Sequence, residues 1–213
     1  MKQSEWNYLT LVFSSVYLTV STILFIFDVW LPKWYIKTQI GKRSHIKWTD
    51  YFQILPIIIF NLIISWFIGT LCCHYALSTT NHLHPILQIF ITIICEEVWF
   101  YYTHRLMHYS FMYKSFHIYH HKYDKPIALA ALYCHPVEMM IVNTPLNLLG
   151  PILTGIQLKT YTFWMIFSAI YVNLNHCGHR LLPFIDTEYH DKHHSSHSVR
   201  FGSYLLDYLH GTM

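Results

Sequence analysis

Three short stretches of this chain are rich in histidine, and their spacings suit metal binding. The eight histidines form one HxxxH box and two HxxHH boxes: His104 and His108; His117, His120 and His121; His190, His193 and His194. Residues three and four apart share one face of a helix, so each box directs its imidazoles together. Packed imidazoles without a metal would repel one another when protonated and bury little apolar surface. The boxes therefore predict a metal site.

The number of histidines favours two ions over one. His176 and His179, three residues apart in NHCGHR, add two more candidate ligands to the eight. One ion with about four to six coordination positions cannot use so many imidazoles, whereas two ions can. Imidazole suits zinc, copper, iron and nickel, and HExxH, the common zinc motif, is absent. Two redox ions beside a membrane would suit O₂ chemistry on a lipid, although spacing alone does not identify iron.

The composition indicates a membrane protein. Of the 213 residues, 54% are hydrophobic and only 12% are charged, compared with about 25% charged in soluble domains. Runs over residues 9–31, 52–77 and 85–103 approach or exceed the roughly 20 apolar residues that a spanning helix needs. Residues 128–175 are apolar again, with breaks at Asn147, Gly150, Pro151 and Gly155, and read as a spanning or re-entrant helical hairpin. The net charge of +3 and the lack of a basic stripe argue against nucleic acid as a partner.

We therefore predict an all-α integral membrane protein. It has about four to five transmembrane or re-entrant helices and a cytosolic, helical histidine-box di-metal site. Cytosolic loops carry an excess of Lys and Arg, and this topology places 12 of the 14 basic residues on the side of the boxes. Those residues are Lys33, Lys37, Lys42, Arg43, Lys47, Arg105, Lys114, Lys122, Lys125, Arg180, Lys192 and Arg200. Lys2 and Lys159 fall on the opposite side.

Six motifs resemble, in order, the membrane fatty acid hydroxylase superfamily, which includes sterol 4-methyl oxidases, sterol desaturases and 25-hydroxylases. They are EEVWFYYTHRLMH, HIYHH, LYCHPVE, NHCG, HDKHH and LDYLHGT. The resemblance covers residues 94–212, and the YCHPVE and HCG elements are most similar to 4-methylsterol monooxygenases and fatty acid hydroxylase domain-containing proteins. It implies N-terminal transmembrane helices with a basic cytosolic loop over residues 1–83 and a catalytic domain over residues 84–213.

The resemblance also implies a cofactor set and a location. Relatives are multi-pass enzymes of the endoplasmic reticulum membrane with a cytosolic site for two Fe ions. They use O₂ and electrons from NAD(P)H, passed through cytochrome b5 or its reductase. By motif, the ligands are the eight box histidines and His176, with His179 and His135 as further candidates. Glu97 and Glu138 are candidates for orienting an imidazole from outside the ligand set.

Three departures from the family pattern bear on the site. HCGHR stands where the family often has HCGY followed by His or Asp, so the tenth ligand is open. His197 and Arg200 stand where relatives commonly have Phe and Asn, and Arg200 is expected to bring a cation near the metals. The chain ends at Met213, where relatives usually continue, and no dilysine-type tail is present, so the location rests on the resemblance.

The leading functional prediction is a di-iron monooxygenase that hydroxylates an unactivated C–H bond of a sterol-like lipid taken from the bilayer. A desaturase with the same metals is the nearest alternative. Two alternatives belong to other classes: a membrane metal transporter, whose ligands should lie at mid-membrane or in a histidine-rich loop, and a non-catalytic membrane regulator. Intact boxes argue against the regulator, whereas Arg200 and the short carboxyl-terminal tail argue mildly for it.

Overall fold

Three long apolar helices are the candidate membrane spans of the protein. The structure is a computed structural model that describes residues 1–30, 47–72, 83–123, 127–179, 181 and 186–213. Helices α1 (Gln3–Trp30), α2 (Trp48–Cys72) and α3 (Pro85–Met107) are each long and apolar enough to cross a membrane. Large apolar side chains on their outer faces, including Leu11, Phe67 and Phe90, are exposed, as expected for lipid contact. The three predicted apolar runs are confirmed as helices within the described residues.

Helix α1 packs against α2 through aromatic side chains at both ends. Near the start of α1, the Trp6 indole N–H donates to the carbonyl of Trp66 at 2.9 Å. A β-carbon at Gly69 would lie 1.8 Å from the Trp6 ring, so only glycine allows this approach. Near the other end, the ring of Phe25 lies 4.7 Å from that of Tyr51. The end of α1 and the beginning of α2 therefore lie together.

The predicted hairpin region folds into several short helices and one long helix. The short ones comprise a 3₁₀ helix (Ala128–Leu132), α5 (Pro136–Glu138), a π-helix (Met139–Asn143), α6 (Thr144–Leu146) and α7 (Leu149–Thr154). The long helix is α8 (Leu158–His176). Helices end at Asn147 and at Gly155, which has φ 54°. Gly150 lies instead within α7, where its missing side chain lets α7 approach the backbone of Thr92 in α3.

The polar end of the molecule carries four further helices. They are α4 (Ser110–Ser115), a 3₁₀ helix (His117–Lys122), α9 (Thr187–Ser196) and α10 (Tyr204–Leu209). The first HxxHH box therefore lies on a 3₁₀ helix and not on an α-helix. In a 3₁₀ helix, residues three apart eclipse one another, and the rings of His117 and His120 are stacked 5.4 Å apart.

The basic loop that set the predicted orientation lies largely outside the described residues. Lys33, Lys37, Lys42 and Arg43 fall there, as do Lys125 and Arg180. Asp28 near the end of α1 contacts His179, which follows α8, at 2.7 Å. The ends of α1 and α8, and the beginning of α2, therefore share one end of the molecule, which also holds the histidine boxes.

Candidate metal centre

The histidine boxes meet at the polar end of the molecule and form two groups. Helix α3 and its C-cap supply His104 and His108, and the end of α8 supplies His176. The remaining histidines come from the 3₁₀ helix over His117–Lys122 and from α9. The five-histidine group is His104, His108, His117, His121 and His193. The four-histidine group is His120, His176, His190 and His194. These nine residues are the nine ligands expected from the sequence.

In the five-histidine group, His117 stands at the centre. Its Nε2 atom lies 3.1 Å from Nε2 of His104, 3.0 Å from that of His108 and 3.1 Å from that of His121. The Nε2 atom of His193 lies 3.1 Å from that of His108. All five candidate ligand atoms lie within 4.8 Å of one another. One ion could contact them together.

In the four-histidine group, α9 supplies two imidazoles one turn apart. Nε2 of His190 lies 2.8 Å from Nε2 of His176 and 3.0 Å from Nε2 of His194. The ring of His120 lies 4.8 Å from that of His194. This group also keeps all its candidate ligand atoms within 4.8 Å, so it could hold a second ion.

Backbone carbonyls fix the proton position on three of these rings. Nδ1 of His104 lies 2.8 Å from the carbonyl of Phe201, Nδ1 of His193 lies 2.7 Å from that of Val199, and Nδ1 of His176 lies 2.9 Å from that of Val172. A carbonyl only accepts, so each Nδ1 carries the N–H, and Nε2 of a neutral imidazole carries the lone pair. Each of these three Nε2 atoms lies about 3 Å from Nε2 of a neighbouring imidazole, an arrangement that a shared cation stabilises. The donor set therefore fits metal binding.

Burial keeps these imidazoles neutral. Desolvation is the main cause that lowers the pKa of His117 to about 3, and the nearby His197 adds to it. Desolvation, with repulsion from neighbouring imidazoles, holds the pKa of His120, His190, His193 and His194 well below the usual range. A metal needs the deprotonated imidazole, so the site presents its ligands in the required state at neutral pH.

One of the two candidate orienting carboxylates contacts a box histidine. Glu138 is buried, and its Oε2 lies 2.9 Å from Nδ1 of His117, the position expected for a carboxylate that orients an imidazole. Burial raises the pKa of Glu138. Glu97 instead hydrogen bonds Ser203 and lines a neighbouring cavity. Of the two candidates, Glu138 is therefore the one that contacts a box histidine.

The two further ligand candidates lie outside both groups. His179 is paired with Asp28 at 2.7 Å and joins the segment after α8 to α1. His135 caps α5, where its Nδ1 accepts from the Val137 N–H at 3.2 Å. Its ring packs 5.0 Å from that of Phe116. The structure therefore gives both residues contacts away from the candidate metal positions.

The two departures at 197 and 200 have different surroundings. The ring of His197 lies 4.8 Å from that of His121, beside the five-histidine group. The Arg200 guanidinium lies 4.9 Å from the centre of the Tyr189 ring, a cation–π contact. His197 and Arg200 are also the two non-glycine residues with positive φ, 58° and 59°, among the described residues.

A cavity of about 510 Å³ borders both histidine groups. His104 and His117 of one group line it, as do His120, His176 and His190 of the other. Its wall also includes Trp6, Phe13 and Leu62. Leu62 lies 14 positions after Trp48 in α2, roughly 20 Å along the helix. The cavity thus extends from the histidines to the middle of α2, one of the candidate membrane spans, and its volume falls within the range of about 300–1,000 Å³ for small-molecule sites.

Comparisons with known proteins place the chain in a family. The fatty acid hydroxylase family model matches residues 89–212. Human fatty acid hydroxylase domain-containing protein 2 is 39% identical over 129 residues, covering 60% of this chain and 38% of that protein. Methylsterol monooxygenase 2-2 of Arabidopsis thaliana is 32% identical over 138 residues, covering 59% and 52%. Very-long-chain aldehyde decarbonylase GL1-11 of Oryza sativa subsp. japonica is 30% identical over 138 residues, with the same two shares.

The matched region contains every histidine of both groups. The chain spans only 38% to 52% of the length of the three relatives, and no solved structure matches it. The family match covers more than half of the chain and begins within α3, ahead of the first histidine box. The chain therefore belongs to the fatty acid hydroxylase family.

Proposed function

We propose that this protein is a di-iron, O₂-dependent monooxygenase that hydroxylates an unactivated C–H bond of a sterol-like lipid. The observation that carries the proposal is that two groups of buried imidazoles border one cavity that extends to membrane depth. The family carries out iron-dependent oxidation. A relative named methylsterol monooxygenase supports a sterol-like substrate.

Each histidine group would hold one iron. Imidazole nitrogen is a suitable ligand for iron, and burial keeps these rings neutral. When bound, the two ions supply the activation of O₂ and the oxidation of the C–H bond. The Glu138 side chain lies 2.9 Å from Nδ1 of His117, and the carbonyls of Phe201 and Val199 accept from Nδ1–H of His104 and His193. These contacts direct the Nε2 atoms at the ion.

The cavity residues would bind and align the lipid. Trp6, Phe13 and Leu62 offer an apolar surface at membrane depth, where a hydrocarbon body is stabilised by leaving water. Phe100 lines the same cavity with its ring 4.8 Å from that of His104. Its position restricts how closely a bulky substrate approaches the five-histidine group and helps exclude water from it.

We propose the domain division and the cellular location from the positions of the apolar helices and of the histidine boxes. Residues 1–83 contribute transmembrane helices and the basic loop, and residues 84–213 form the catalytic domain. The site faces the cytosol from the endoplasmic reticulum membrane and receives electrons from NAD(P)H through cytochrome b5 or its reductase. Lys122 and Lys192 lie on the two elements that carry the HxxHH boxes, which supports placing the site on the side where basic residues accumulate.

The test is product analysis by mass spectrometry in cells that lack their own sterol 4-methyl oxidase. Wild-type protein should convert a sterol-like lipid to a product with one added oxygen atom. His120→Ala and His193→Ala, one from each group, should abolish conversion, and His84→Ala is the matched control because His84 is exposed at the start of α3. A product that lacks two hydrogens would indicate a desaturase. Unchanged lipids with wild-type protein would contradict the oxygenase proposal and favour a regulator or transporter.

A further inference from the structure

Asp207 in α10 is a buried carboxylate outside both histidine groups, and the sequence reasoning did not single it out. It is 0% exposed and sits in the LDYLHGT motif near the carboxyl end of the chain. Its Oδ1 accepts from the Phe201 N–H at 3.0 Å and the Thr212 hydroxyl at 2.6 Å. Its Oδ2 accepts from the Tyr189 hydroxyl at 2.6 Å and the Gly202 N–H at 3.2 Å. Four donors thus converge on one side chain.

The backbone that Asp207 holds is the backbone that orients two candidate ligands. The carbonyl of Phe201 accepts from His104, and the carbonyl of Val199 accepts from His193. Both histidines belong to the five-histidine group. Since Phe201 also donates its N–H to Asp207, the carboxylate lies one residue away from the carbonyl that fixes the His104 ring.

This backbone segment adopts conformations that need external support. Arg200 has φ 59° and Gly202 has φ 124°. A non-glycine residue in the left-handed region is strained and persists where the surroundings hold it. The N–H of Arg200 donates to the carbonyl of Thr212 at 2.6 Å, and the Thr212 hydroxyl donates to Asp207. Asp207 and Thr212 together hold the turn.

The four-histidine group is oriented differently. His176 donates from Nδ1 to the carbonyl of Val172 within its own helix α8, which does not pass through residues 199–202. Asp207 also accepts from the Tyr189 hydroxyl, next to His190 of the four-histidine group, but this contact reaches α9 through a side-chain hydroxyl, which can also bond an amide at position 207. We infer that Asp207 is a positioning residue mainly for the metal ion of the five-histidine group. This inference rests on the proposed function, because it requires that both groups hold metal.

The variant Asp207→Asn tests the inference. The amide nitrogen cannot accept a hydrogen bond, so at least one of the Phe201 and Gly202 N–H groups loses its acceptor. Loss of partners that orient a metal ligand typically weakens metal affinity about 10–100-fold. The full-length protein in detergent, freed of metal, should be titrated with Co²⁺ and its visible absorption followed. Asp50→Asn is the matched control, since Asp50 accepts from the Lys47 N–H at the beginning of α2.

We expect wild-type and Asp50→Asn proteins to bind two Co²⁺ ions tightly, and Asp207→Asn to bind one ion with unchanged affinity and the other at least about 10-fold more weakly. The weakened site should be identified by reference variants. The remaining Co²⁺ spectrum should match that of His108→Ala, from the five-histidine group, and differ from that of His176→Ala, from the four-histidine group.

Thr212→Val provides a milder second variant, which removes one donor to Asp207 and leaves the carboxylate in place. It should lower the affinity for the same ion by a smaller factor. Two ions of wild-type affinity in Asp207→Asn would overturn the inference while leaving the proposed function intact. An equal loss of affinity for both ions in both variants would also overturn the inference, because the substitutions would then disturb the two groups alike. Fewer than two ions in wild-type protein would overturn both proposals.

Discussion

Adjacent residues of one histidine box should control different metal ions. His121 belongs to the five-histidine group and His120 to the four-histidine group. We therefore predict that His121→Ala lowers the affinity for the ion of the five-histidine group and that His120→Ala lowers the affinity for the ion of the four-histidine group. Each single variant should keep one ion with wild-type affinity.

The expected loss of metal affinity follows from the number of ligands that remain. Removing one imidazole leaves four candidate ligands in the first group or three in the second. Losing a partner that only orients a ligand costs about 10–100-fold in affinity, so losing the ligand itself should cost at least about 100-fold. An ion present at about 100 times its Kd stabilises the folded protein by ~2.7 kcal/mol, and a 100-fold weaker ion stabilises it by only ~0.4 kcal/mol at the same concentration. Each variant should therefore lose about 2 kcal/mol of metal-dependent stability.

Double variants provide the critical comparison. His121→Ala combined with His193→Ala removes two ligands from one group, so the second ion should keep its affinity. His120→Ala combined with His121→Ala removes one ligand from each group, so both ions should be weakened. Metal titration with unfolding measured at fixed metal concentration distinguishes the pairs. If both double variants lost the same single ion, the assignment of His120 and His121 to different groups would be wrong.

Three further predictions concern pH, topology and a departure from the family pattern. Metal-free protein should lose stability as pH falls below 6.5, because His117 takes up a proton near 6.5 when unfolded but only near 3 when folded. That difference costs about 1.4 kcal/mol per pH unit, and a urea midpoint in detergent unchanged between pH 7 and pH 5 would contradict it. Single cysteines replacing Lys122 and Ser195 should react with an impermeant thiol reagent from the cytosolic side, and one replacing Lys159 should not; the reverse pattern would refute the orientation. Arg200→Asn should keep turnover, because asparagine tolerates the φ of 59° better than arginine does, whereas complete loss of turnover would make the Arg200 side chain functional.

The sequence by itself indicated the membrane character and the histidines that are candidate ligands. Long apolar runs leave few alternatives to spanning helices, because backbone polar groups in lipid must be satisfied within the helix. The boxes were equally informative, since eight clustered histidines have little use apart from metal. All nine residues expected as ligands lie in the two groups, and the predicted breaks at Asn147 and Gly155 end helices.

The pairing of histidines across the boxes was decided only by the tertiary structure. Spacing places His117, His120 and His121 in one box, but in the folded protein His117 and His121 belong to one group and His120 to the other. In α9, His193 is likewise separated from His190 and His194. A box pattern records which residues are near in the chain, whereas a metal position depends on where separate helices converge.

The contacts that orient the ligands were also beyond the sequence. Every residue has a backbone carbonyl, so the amino-acid sequence does not indicate that those of Val199 and Phe201 accept hydrogen bonds from His193 and His104. Asp207 holds that turn from a motif whose role the sequence left open. His179 has the spacing of a ligand but pairs with Asp28, 151 residues away in the chain. Such long-range contacts arise from helix packing, and local spacing carries no information about them.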